Sequence, residues 1–285
     1  MIEEFVIEAR PQKEWAGLIA IAFFLGGIGS GLFFLSGLLS QPVAGLVGLI
    51  IVAVGTNGAF LIDLGRPERF WRVFFRPLSS WISRGVFLIT SLLFFGVLSL
   101  APHWVGVPWG TDSGLGRAFL AIGMAAALGV MMYTGFVLSY SPAIPLWNTS
   151  LLPILVVLYA LMGSNAAIFA MASTLSGLNL ALMEQVEIGL ILTSLVMLFV
   201  YLTTVSYSTV AAKKSVAMLV RGELAGLFLG GVVLVGLLVP LGVALAIYWG
   251  EVSANVASPL LAVAGLVELG GGFIFRYCLL RAGVY

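Results

Sequence analysis

The sequence predicts an all-α polytopic membrane protein, a bundle of eight transmembrane helices. Three observations predict it. The 285 residues are 61% hydrophobic and only 9% charged, against about 25% charged in an ordinary soluble domain. That is too little charge to cover a water-facing surface, so the bilayer must be the main solvent. The apolar stretches reach the roughly 20 residues that a helix needs to cross a bilayer, and the alternation of a membrane β-barrel is absent. Finally, an eight-span count sorts the positive charges: of 13 Lys and Arg, only Arg117 falls opposite the termini.

The spans follow in order at about 15–39, 43–63, 80–101, 115–139, 150–173, 186–208, 222–249 and 256–279. "SQP" separates the first two. The arginine-rich stretch "DLGRPERFWRVFFRPLSSWISRG" (63–85) lies between the second and third, and "APHWVGVPWGTDSG" follows the third. "SYSPAIPLWNTS" parts the fourth and fifth, its prolines stopping helices and Trp147 suiting an interface. "TLSGLNLALMEQ", only mildly polar, separates the fifth and sixth, and "AAKKSVAMLVRGE" the sixth and seventh. Gly27 and Gly31 in span one, and Gly226 and Gly230 in span seven, form small-xxx-small pairs that let helices approach closely in lipid. "GGIGSG" is no dinucleotide fingerprint, because no βαβ unit surrounds it.

No linker is long enough to hide a soluble domain, so residues 1–285 read as one integral membrane domain. The acidic, mixed N-terminal stretch predicts no cleaved signal peptide. An even span count puts both termini on one side. Arg10, Lys13, the arginines at 66, 69, 72, 76 and 84, Lys213, Lys214, Arg221, Arg276 and Arg281 share that side. The positive-inside rule favours the cytoplasm for it. Nothing in the sequence suggests nucleic acid.

Ionisable groups at membrane depth are costly and functional by default. Glu268 is mid-span in "LLAVAGLVELGGGF" and is a candidate for a proton path. Asp63 ends span two, six residues after Asn57; it either pairs with Arg66 or Arg84 or has a functional role. Asn165 lies in span five, and Tyr133 lies toward the end of span four. Glu187 and Glu223 open spans six and seven, where the helix dipole favours carboxylates. His103, the single histidine, falls in a loop, and Cys278 is the single cysteine. The spans therefore offer no histidine for haem and the sequence no cysteine set for an iron–sulfur cluster. No metal-ligand set, Walker loop or GxSxG elbow is present. Any redox role needs a diffusible carrier and a partner holding the metal centres.

Four stretches resemble one family. "DLGRPERFW…RPLSSWISRG" (63–85), "YTGFVLSYSPAIPLWNTSLLPIL" (133–155), "RGELAGLFLGG" (221–231) and "GGFIFRYCLLRAGV" (271–284) are similar to the NrfD/PsrC family, the integral membrane subunits of polysulfide-reductase-type complexes. The resemblance implies a prokaryotic cell (inner) membrane subunit that binds menaquinone or another quinone. It exchanges electrons with a ferredoxin-like iron–sulfur subunit serving a molybdopterin-type catalytic subunit. It also implies a quinone ligand at Tyr133 and a functional acid at Asp63. The sequence departs from the pattern in span one, where relatives place Asn and His near the quinone and "GLIAIAFF" is apolar. Glu14 or Asn57 would then compensate. Arg66, Arg69, Arg72, Arg76, Trp81 and Arg84 are the expected docking residues. Several relatives dock that partner outside the cytoplasm, whereas charge sorting favours the cytoplasm. The alternative from composition alone is a secondary transporter, which eight Gly-interrupted spans around a buried carboxylate would fit.

Overall fold

A computed structural model describes residues 10–15, 17–75, 80–250 and 252–285. All eight spans are present: Gly17–Leu39, Pro42–Asp63, Trp81–His103, Gly114–Ser139, Leu151–Thr174, Leu180–Ser206, Gly226–Gly250 and Ala254–Arg281. Each is long and apolar enough to cross a bilayer, and a helix satisfies its own backbone there. Spans one to four form one group and spans five to eight another. Spans one and five join the groups, with further contacts from span one to span eight and from span four to span five. Of span one's most apolar stretch 67% is buried, against 28% for span six, so span one is a central post and span six is mostly outward-facing.

Glycines set the close crossings. A side chain on Gly31 would strike Ser164 of span five, whose hydroxyl donates to the Ile28 carbonyl at 3.0 Å. Gly29 faces Gly48 across spans one and two. In span seven the expected pair does not pack, since Gly226 and Gly230 face open space. The contact falls to Gly231 and Gly236, and a Cβ on Gly236 would lie 2.6 Å from the Gly271 Cα of span eight. The winding puts Gly231 and Gly236 on one face. Gly226–Leu238 is a π-helix, whose i→i+5 bonding brings residues five apart onto one face.

One boundary and one side-chain placement correct the sequence reading. Span six begins at Leu180 rather than 186, because the Asn179 side chain accepts from the Leu182 N–H at 3.1 Å and caps the helix earlier. Glu187 is consequently two turns inside the span instead of at its start. Arg276 is 3% exposed and its Nη2 donates to the Val156 carbonyl of span five at 3.0 Å, so it is an interior cation and no marker of the membrane surface.

The described ends of the polypeptide meet on one face, in keeping with an even span count. Arg10 and Tyr285 exchange both backbone hydrogen bonds, at 3.0 and 3.1 Å, and Gln12 N–H donates to the Gly283 carbonyl. Trp147 Nε1 donates to the Leu279 carbonyl at 2.9 Å, and the Tyr201 hydroxyl donates to the Leu146 carbonyl at 2.6 Å. These bonds tie the loop after span four to the end of span eight and to span six, respectively. On the same face, the helix Val210–Val220 joins spans six and seven, and a 3₁₀ helix over Pro67–Phe75 joins spans two and three.

Candidate functional site

Tyr133 is buried near the end of span four, on the face that carries the arginine-rich loop. Its ring lies against Gly85, where any Cβ would overlap the ring carbons, and meets Phe23 of span one edge-on at 6.5 Å. Gly85 thus makes room for the aromatic ring, and Phe23 holds it from the other side. The Tyr133 hydroxyl has no hydrogen-bond partner among the described residues.

The ring borders a cavity of about 300 Å³. Span two contributes Asn57, Phe60 and Leu61, the 3₁₀ helix Phe70, Val73 and Phe74, and span three Ile82, Val86, Ile89 and Thr90. This is an apolar chamber with three polar side chains, Tyr133, Asn57 and Thr90. A small-molecule site has that make-up, though the volume is at the lower end of the usual range. A π-wound segment, Ile51–Thr56, ends immediately before Asn57. Such turns are frequent at functional sites. Leu61, Phe74 and Ile82 on the wall are exposed, so the cavity opens toward the side of the bundle that lipid covers.

The 3₁₀ helix links this chamber to the charged surface. With three residues per turn, side chains three apart stack in one row. Arg66, Arg69 and Arg72 share one row and are exposed, while Phe70 and Val73 share the next and face the chamber. Arg76 lies outside the described residues.

A family model for "Polysulphide reductase, NrfD" matches residues 6–285. Among curated proteins, the C subunit of the Wolinella succinogenes polysulfide reductase is 27% identical over 313 aligned residues, which cover 97% of this protein and 96% of the relative. The protein belongs to the NrfD family. It is accordingly a multi-pass membrane protein of an oxidoreductase family, and the relative's name makes that relative one part of a larger reductase.

In this NrfD-family protein the remaining candidates divide among three places. Asp63 is exposed at the end of span two. It does not line the Tyr133 chamber. Glu14 and Trp81 line a second, wider cavity of about 550 Å³ on the same face, with Gln12, Trp15, Tyr140 and Trp147. Trp81 is stacked on Phe136 at 4.8 Å, with the Arg84 guanidinium 4.6 Å from its ring centre. Ile82 borders both cavities, so the start of span three divides them.

Glu268 occupies the third place, deep in the second helix group. It is 2% exposed and lies within electrostatic reach of Glu187, which is 3% exposed. Asn165 donates from Nδ2 to Glu187 Oε2 at 2.7 Å and to the Met183 carbonyl at 3.1 Å. The helix-start reading of Glu187 is therefore replaced by a buried cluster. Glu223 is exposed in the turn before span seven. His103 Nδ1 lies 3.1 Å from the Leu100 carbonyl, a local contact at the end of span three. Among the described residues no three His, Cys, Asp or Glu side chains gather as a metal site.

Proposed function

We propose that this protein is the quinone-reactive membrane subunit of a respiratory oxidoreductase complex. The observation that carries the reading is the chamber in which Tyr133, Asn57 and Thr90 face an apolar space walled by the arginine-bearing 3₁₀ helix. Tyr133 and Asn57 have no side-chain hydrogen-bond partner among the described residues, so both are available to a ligand's two oxygens. The chamber suits a flat apolar ring carrying polar oxygens, and its exposed wall suits entry from lipid.

A bound quinol, of menaquinol type, supplies two electrons and two protons as it becomes quinone. Tyr133 and Asn57 orient the ring by hydrogen bonds to its oxygens, and Phe60, Phe70 and Phe74 pack against it. The surrounding apolar residues exclude water. Asp63, exposed a few residues beyond Phe60, passes protons between the chamber rim and water. Glu268, mid-span, is a second proton-handling group. Arg66, Arg69 and Arg72, with Arg76 and Arg84, hold an acidic face of a ferredoxin-like iron–sulfur subunit. That subunit serves a molybdopterin-type catalytic subunit. The protein acts as a single membrane domain in the prokaryotic cell membrane, and its arginine-rich face lies toward the cytoplasm.

The test is quinol-dependent reduction of the iron–sulfur subunit in the assembled complex. A Tyr133→Phe substitution keeps the ring and deletes one hydrogen bond worth about 1–1.5 kcal/mol, so kcat/KM for quinol should fall roughly tenfold. Adding Asn57→Leu should deepen the loss, while assembly of the complex is retained. Unchanged quinol kinetics in the double variant would overturn the site.

A further inference from the structure

Span six carries Glu184 and Glu187 one turn apart, and span eight carries Glu268 within electrostatic reach of Glu187; all three are buried. Two ionised carboxylates this close at membrane depth repel strongly and lack the hydration that would offset it. Among the described residues no cation neutralises them. Arg276, the interior cation, is eight residues further along span eight, about 12 Å of helix rise, and donates to the Val156 carbonyl. Asn165 has both amide hydrogens committed, one to Glu187 Oε2 and one to the Met183 carbonyl, and so holds Glu187 in place. Glu187 Oε1, Glu268 Oε1 and Glu184 Oε1 have no partner among the described residues.

The surroundings give the pair a direction. Toward the face opposite the arginine-rich loop, the next ionisable group is Glu184, four residues from the start of span six at Leu180. Toward the arginine-rich face stands Tyr159 of span five, close enough to interact with both Glu268 and Arg276; its hydroxyl has no partner among the described residues. The Tyr159 ring is stacked on Phe275 at 4.1 Å, and packed aromatic and aliphatic side chains fill that route. Spans one and seven bring no ionisable side chain to the cluster.

We infer that Glu187 and Glu268 form a carboxyl pair that shares one exchangeable proton, loaded through Glu184 from the membrane face opposite the arginine-rich loop. This deepens the proton-handling role proposed for Glu268 and does not depend on the quinone chamber.

The test is infrared difference spectroscopy on the full-length protein reconstituted in vesicles of known orientation, without quinone. A pH step should change one protonated-carboxyl band. Glu187→Gln and Glu268→Gln should each abolish that same band, Glu223→Gln should leave it, and Asn165→Leu should shift its frequency. A pH step on the face opposite the arginine-rich loop should drive the band, and Glu184→Gln should slow the response severalfold. Two bands removed separately by the two substitutions, no exchangeable band, or a response to sodium in place of pH would overturn the pair. A response driven from the arginine-rich face would overturn the direction of loading. None of these outcomes bears on quinol kinetics at Tyr133, so the two assignments fail separately.

Discussion

At the residue scale, Tyr133 and Gly85 act as one unit. A methyl group on Gly85 would occupy the space of the Tyr133 ring, and overpacking of this kind costs about 1–3 kcal/mol. Gly85→Ala should therefore lower the thermal stability of the detergent-solubilised protein and impair quinol turnover as Tyr133→Phe is expected to, despite leaving every proposed ligand in place. Normal stability with normal turnover would refute the coupling. Tyr133 was legible in the sequence through its "YTG" setting, and Asn57 through its depth in span two. Thr90 and the aromatic wall were not, because a hydroxyl or phenyl group in an apolar span looks the same whether it faces lipid, protein or a cavity. Glu187 was misread for a similar reason. Its depth depends on a cap at Asn179, whose side-chain bond starts the helix within a stretch that composition presents as a mild break.

At the scale of elements, winding decides which residues share a face. The arginines at 66, 69 and 72 have a period of three, a signal present in the sequence that becomes meaningful only once the segment is a 3₁₀ helix. Reversing that row, with Arg66, Arg69 and Arg72 all changed to Glu, should abolish copurification of the iron–sulfur subunit at low salt while the eight-span bundle stays folded. Electrostatic docking would also make the native complex salt-sensitive. Copurification unaffected by the reversal would remove these residues from the interface. Span seven offers the second case. Glycine spacing suggests Gly226 and Gly230 as the packing pair, but the π-helical pitch moves the contact to Gly236 and Gly271. Gly236→Ala should reduce the unfolding temperature in detergent, and Gly230→Ala should not; equal effects would show that the span is wound as an α-helix.

At the scale of the whole molecule, span number was legible because apolar length and charge sorting are bulk properties that local folding does not alter. The pairing of residues 10–12 with 283–285 brings the described ends to one face. Charge sorting survives in outline although Arg276 is now interior. Cysteine placed at Arg69 or Lys213 should be labelled from one side of the membrane, and at Asp112 from the other. The native Cys278 is buried and should stay silent. Labelling of Arg69→Cys from the cytoplasm would support the positive-inside orientation, and labelling from the far side would reverse it. The proposed division of labour matches this layout: a chamber in the first helix group at the arginine-rich face, and buried carboxyls deep in the second group. The most direct measurement is an experimental structure of the assembled complex with a quinone analogue bound. The ring is expected between Tyr133, Asn57 and Thr90 against the 3₁₀ helix; a ring seated in the wider cavity beside Glu14 and Trp81, with the Tyr133 chamber filled by lipid, would contradict the assignment.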